Sequence, residues 1–134
     1  MKAEARTILI VDDSLGEALI TVEILSRISP EIRIETAFSG EAAMDLLRKT
    51  GTLPALILLD LKMLGLSGLD VIRLVRADER LKQIPIIVVS NSTLEADRVK
   101  SIRAGANSFL HKHFDLDCFR NDLQALLETY LGNV

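Results

Sequence analysis

The sequence predicts an α/β protein built on a five-stranded parallel sheet, and three observations carry that prediction. Short, unbroken aliphatic runs recur at Ile8-Leu9-Ile10-Val11, Leu56-Ile57-Leu58-Leu59 and Ile86-Ile87-Val88-Val89, as expected of strands covered on both faces. Stretches of helical spacing follow these runs, so strands and helices alternate along the chain. Hydrophobic residues make up 49% of the 134 residues and aromatics only 4%. The core must therefore come from Leu, Ile, Val and Ala, which suits helices packed on a sheet.

The first strand, Ile8 to Val11, runs into Asp12-Asp13-Ser14. Helical spacing takes over with Leu15, Ala18, Leu19, Val22, Leu25 and Ile28 on one face, Ser14 as N-cap and Pro30 closing the segment. Ile32-Arg33-Ile34-Glu35-Thr36-Ala37 alternates apolar and polar residues, the pattern of an exposed or edge strand. Ser39-Gly40-Glu41 opens a second helix through Ala42, Ala43, Leu46 and Leu47, stopped by Gly51. After Pro54 the central strand reaches Asp60, and the loop from Leu61 to Gly68 holds two glycines. Leu69, Ile72 and Val75 mark the third helix. Pro85 introduces the fourth strand, which ends in Ser90-Asn91-Ser92.

Ala96, Val99 and Ile102 belong to a fourth helix ended by Gly105. Ser108-Phe109-Leu110-His111-Lys112 is the fifth strand, and Leu116, Phe119, Leu123, Leu126 and Tyr130 give a last amphipathic helix. Right-handed crossovers place helices on both faces, and five such units fit the flavodoxin-like strand order 2-1-3-4-5. Residues 1–134 read as one domain with no linker, repeat or low-complexity segment.

Charge and composition exclude several classes. A net charge of −3 without a basic block argues against nucleic-acid binding by this chain. No apolar run is long enough to span a membrane, and the stretch from Met1 to Arg6 lacks the apolar core of a signal peptide, so a soluble cytoplasmic protein is expected. The single Cys118 excludes an internal disulfide and offers no zinc spacing; a small buried or half-buried apolar role is expected for it.

The strands of a parallel sheet point one way, so their C-terminal residues converge. Here those residues are Asp12 and Asp13, Asp60, Ser90 and Lys112. A lone acid such as Asp60 could simply cap the next turn, and an acid pair before a helix could serve its dipole. Together they say more. Carboxylates so close repel one another, and a hard divalent cation such as Mg²⁺ relieves that repulsion with an all-oxygen shell. Lys112 adds a fixed positive charge and Ser90 a hydroxyl, which with the cation is the environment a phosphoryl group needs. Asp60, on the middle strand, is then the nucleophile.

With these residues in register, the chain resembles the receiver domains of two-component response regulators from Ile8 to about Leu131. The resemblance rests on Asp12-Asp13, Asp60 ending an aliphatic strand, Gly68, Ser90, and Lys112 after the aromatic Phe109. It implies that a histidine kinase donates a phosphoryl group to Asp60. Asp13, Asp60 and the backbone carbonyl of Lys62 would bind Mg²⁺ directly, with Asp12 acting through water. Lys112 would pair with the phosphoryl oxygens, Ser90 would turn towards them, and Phe109, a switch or else ordinary core filler, would follow. That repacking would alter the face formed by the fourth helix, fifth strand and fifth helix, where Leu131 and Tyr130 could also serve a homodimer. With no effector domain, output would be binding to a downstream protein or onward transfer to a phosphotransfer protein. More narrowly, Asp60 to Leu64, the 77–85 connection and the tail near Tyr130 are similar to stand-alone receivers that partner phytochrome-type or hybrid kinases.

Three positions depart from the family pattern. Leu64 stands where Pro is common, which should leave the loop less rigid. Asn91 replaces a small residue and could slow small phosphodonors or hold a water. His113 replaces a Pro that normally follows a cis bond, so a trans Lys112–His113 bond is expected. His111 and His113 read as surface or loop residues. Lys62 and Ser92 occupy positions that in this family tune access of water to the phosphoryl group; neither is an acid or amide, so slow self-dephosphorylation is expected. Competing readings are a receiver-fold binding module that works without phosphorylation and a small phosphatase, which would need an acid where Lys62 stands. No Gly-rich phosphate loop supports nucleotide binding.

Overall fold

The computed structural model describes residues 6–113 and 115–132; the segment Met1 to Ala5 read for a signal peptide lies outside them. The element order is β1 (Thr7–Val11), α1 (Leu15–Ile28), β2 (Arg33–Ala37), α2 (Gly40–Lys49), β3 (Leu56–Leu59), α3 (Gly68–Ala77), β4 (Ile86–Ser90), α4 (Glu95–Ala104), β5 (Ser108–His111) and α5 (Leu116–Leu131). All pairings are parallel and the strand order is β2-β1-β3-β4-β5, as expected.

Strand periodicity divides the core in two, because successive side chains point to opposite faces. Leu9, Val11, Ile57, Leu59, Ile86 and Val88 meet Ala43, Met44 and Leu47 of α2 and Val71, Ile72 and Val75 of α3. Their alternates Ile8, Ile10, Leu56, Leu58, Ile87, Val89 and Leu110 meet Ala18, Ile24 and Leu25 of α1 and Phe119, Leu123, Leu127 and Leu131 of α5. Burial on both faces explains why β1, β3 and β4 read as continuous apolar runs. β2 pairs only with β1, and its alternating exposure is that of the expected edge strand.

The face of α1 differs from the sequence reading. Leu15 and Leu19 are 58% and 56% exposed, while Thr21 is buried beside Ala18, Ile24 and Leu25. Thr21 can point inward because its hydroxyl donates to the Glu17 carbonyl at 3.2 Å, which satisfies it within the helix. The fourth helix also departs from an apolar stripe: Ser101 alone is fully buried, its hydroxyl on the Asp97 carbonyl, and Ile102 is exposed. Cys118 is exposed on α5, opposite to expectation, because the inward face there belongs to Phe119. Leu131 is buried in the core and the Tyr130 hydroxyl lies 2.7 Å from Ser108 Oγ, so the stripe expected to meet a second copy is largely used within the chain.

Caps fix where the helices start. Ser14, Ser39 and Ser67 accept hydrogen bonds from Glu17, Ala42 and Asp70 backbone N–H groups, and Asp70 reciprocates on Ser67 to complete a capping box. No helix among the described residues is long and apolar enough to cross a membrane.

Candidate metal and phosphoryl site at the strand ends

Register builds the site. Val11 pairs with Leu59, so Asp12 and Asp60, the residues that follow, leave the sheet side by side. Ser90 pairs with His111, where β5 ends, and Lys112, expected as the last residue of that strand, follows one residue beyond it. One carboxylate oxygen each from Asp12, Asp13 and Asp60 lies within 4.8 Å of the others. Three hard oxygen donors at that spacing fit a divalent cation such as Mg²⁺. Lys62, exposed in the loop after β3, lines the same side of the site through a cavity of about 440 Å³ that also includes Asp13, Asp97 and Lys100.

The charges are unevenly hydrated. Asp12 is buried, its Oδ1 accepting from the Ser14 N–H at 2.9 Å, while Asp13 is exposed and accepts from the Leu64 N–H at 3.3 Å. Burial pushes the Asp60 carboxyl up to about 6, an effect that Lys112 opposes and the charges of Asp12, Glu17 and Asp13 reinforce. Lys112 is the only cation close in on this cluster among the described residues: Nζ lies 3.1 Å from Asp12 Oδ2, 2.9 Å from Glu17 Oε1 and 3.9 Å from Asp60 Oδ1. Burial alone would lower its pKa, but the Glu17 hydrogen bond and the neighbouring acids outweigh it and hold the ammonium charged.

The β3–α3 loop is held by backbone geometry. A Cβ on Gly68 would stand 2.5 Å from the Asp60 carbonyl oxygen and 2.7 Å from Leu61 Cα, so only glycine allows α3 to start against the end of β3. Gly65 has φ 76°. Leu64 is 87% exposed, yet its N–H on Asp13 is a tether a proline could not make, so the expected loss of rigidity has a counterweight.

Two residues that sequence reasoning missed complete the arrangement. Glu17, from the first turn of α1, bonds Lys112 and also accepts from Asn91 Nδ2 at 2.8 Å. Asn91 is therefore tied to the start of α1 through Glu17. Asp97 of α4 binds Ser92 Oγ at 2.5 Å and lies 3.7 Å from Lys62 Nζ, joining the two positions flagged for water access. The acidic spacing Asp13 to Glu17 was visible in sequence, but nothing there indicated that Glu17 faces the fifth strand.

Ser90 is buried, its Oγ accepting from the Ser92 N–H at 3.0 Å, and Phe109 is half-buried against the α2–α3–α4 side of the core. The Lys112–His113 bond is trans, no cis bond being present among the described residues. His113 is exposed and pairs with Asp122 at 2.9 Å, and His111 Nε2 lies 3.2 Å from the Asn91 carbonyl.

Comparison with known proteins agrees with this geometry. The family model for the response regulator receiver domain matches residues 8–124. Chemotaxis protein CheY1 of Helicobacter pylori is 32% identical over 122 residues, covering 91% of this chain and 97% of that protein. The phosphorylated cyanobacterial phytochrome response regulator RcpA superposes with a TM-score of 0.88 at 26% identity, covering 98% and 97% of the two chains. The receiver domain of the Pseudomonas aeruginosa histidine kinase PA1611, whose structure holds a magnesium ion in its active-site cleft, gives a TM-score of 0.82 at 26% identity over 96% and 99%. The family model spans most of the chain and these relatives cover nearly all of it, so the chain belongs to the response regulator receiver domain family.

Proposed function

We propose that this chain is a phosphoacceptor switch of a two-component system, taking a phosphoryl group from a histidine kinase onto Asp60. The observation that carries the reading is the convergence of Asp12, Asp13 and Asp60 within 4.8 Å, with the Lys112 ammonium 3.9 Å from Asp60. An Asp60 carboxylate oxygen forms the new bond to phosphorus as the phosphorus–nitrogen bond of the donor phosphohistidine breaks and its imidazole leaves. A Mg²⁺ ion held by Asp13, Asp60 and the Lys62 backbone carbonyl, with Asp12 acting through water, would neutralise charge on the transferring group. Lys112 orients a phosphoryl oxygen, the Ser90 hydroxyl donates to another, and Phe109 moves with Ser90 to change the α4–β5–α5 face.

The likeness to RcpA and to other phytochrome response regulators supports a phytochrome-type or hybrid kinase as donor. Output is then protein binding or onward transfer in the cytoplasm, and the chain's only catalysis is of its own phosphorylation and dephosphorylation. Intact-mass spectrometry after incubation with acetyl phosphate and Mg²⁺ tests the reading. A phosphoryl adduct is expected on the parent, lost with EDTA and absent from Asp60→Asn. An unmodified parent, with the fold intact by circular dichroism, overturns it in favour of a phosphorylation-independent binding module.

A further inference from the structure

Lys112 is already committed to two anions before any phosphoryl group arrives. Its ammonium has three donors, of which Asp12 Oδ2 and Glu17 Oε1 take two at 3.1 and 2.9 Å, while Asp60 waits at 3.9 Å. The same Glu17 oxygen accepts from Asn91 Nδ2. One carboxylate therefore ties together the start of α1, the loop after β4 and the end of β5. These three side chains line a cavity of about 280 Å³ together with Ile20, His113 and Leu116. Lys112, and secondarily Asn91, hold the Glu17 carboxyl below its ordinary pKa, so the clasp is ionic.

Resting on the phosphoacceptor reading, we propose that Glu17 is the resting-state counter-ion of Lys112, and that loading Asp60 draws Lys112 off Glu17 and releases Asn91. Glu17 is thus a positioning residue, acting on the phosphoryl group through Lys112. To reach the ordinary ion-pair length of about 2.8 Å from Asp60, Nζ must travel about 1 Å. Of its two present partners, the Asp12 side chain is 5% exposed and the Glu17 side chain 37%, so Glu17 is the one that water can take over. The phosphoryl state is then reported at the groove between α1 and the β5–α5 loop, through Asn91, as well as through Ser90 and Phe109.

Two measurements on the full chain test this, with beryllofluoride and Mg²⁺ as the phosphoryl mimic. In ¹H–¹⁵N spectra of the parent, the Asn91 side-chain amide signals should shift on loading to the positions they hold in Glu17→Ala, which has no acceptor for them, without the mimic. By calorimetry, Glu17→Gln should bind the mimic about fivefold more tightly, the size of a partly exposed ion pair removed, and Glu17→Asp should restore parent affinity. Equal affinities, or an Asn91 amide that does not move in the loaded parent, overturn the proposal while leaving Asp60 as the acceptor. A parent that takes neither beryllofluoride nor a phosphoryl group from acetyl phosphate overturns the phosphoacceptor reading and this inference with it.

Discussion

The two flanks of the acidic cleft are built from different materials. On the β3–α3 side the walls are backbone: Gly68 packed against the Asp60 carbonyl, Gly65 in the left-handed region, and the Leu64 N–H on Asp13. On the β5–α1 side they are long side chains, Lys112, Glu17 and Asn91, joined by two polar contacts. Backbone walls resist displacement, since moving them breaks close packing. Side-chain contacts exchange partners through rotamer changes at the cost of a hydrogen bond or two. On the proposed reading, the cleft would combine a fixed seat for a cation with a movable clasp for an anion.

That contrast can be broken most forcefully at Gly68. The Gly68→Ala methyl group meets only backbone atoms of Asp60 and Leu61, the nearest at 2.5 Å. Overpacking against atoms that cannot swing aside should cost about 2–3 kcal/mol in urea unfolding and weaken Mg²⁺ binding. An unchanged stability would show that this wall yields as readily as the other.

A smaller and pH-dependent effect comes from Asp60. Its folded-state pKa is raised from 3.8 to about 6. A group raised in this way favours the fold below its unfolded pKa, and that contribution is lost as pH climbs through the folded value. In EDTA at pH 7, Asp60→Asn should accordingly be more stable than the parent by about 2 kcal/mol. The difference should vanish near pH 4, and saturating Mg²⁺ should erase it by favouring the parent. Urea titrations at the two pH values decide it; a constant difference would mean that burial does not oppose ionisation there.

The mildest change is Leu64→Pro, which removes the N–H that Asp13 accepts at 3.3 Å. About 1 kcal/mol or less should be lost, with Mg²⁺ affinity falling by a comparable factor in calorimetry. A gain in affinity would instead mean that a stiff proline loop outweighs the tether.

Much of this molecule was legible in one dimension. The continuous runs of β1, β3 and β4, the alternating edge strand β2 and the serine caps all follow from local periodicity and local hydrogen bonding, so the strand order and the convergence of Asp12, Asp13, Asp60 and Lys112 could be read from the sequence. Packing decided the rest. Which face of α1 turns inward depended on a hydroxyl satisfied inside its own helix, which hydropathy counts as polar, and so Thr21 displaced Leu15 and Leu19. Cys118 was placed outside by its neighbour Phe119, and Leu131 was drawn inside by the length of α5.

The clasp of Glu17 on Lys112, 95 residues apart in the chain, was beyond any local pattern. The sequence by itself determined which elements form and which acids share an end of the sheet, because both depend on short-range spacing and strand direction. Only the tertiary structure decided which anion Lys112 holds at rest, because that choice depends on distances of a few ångströms between side chains brought together from three separate elements.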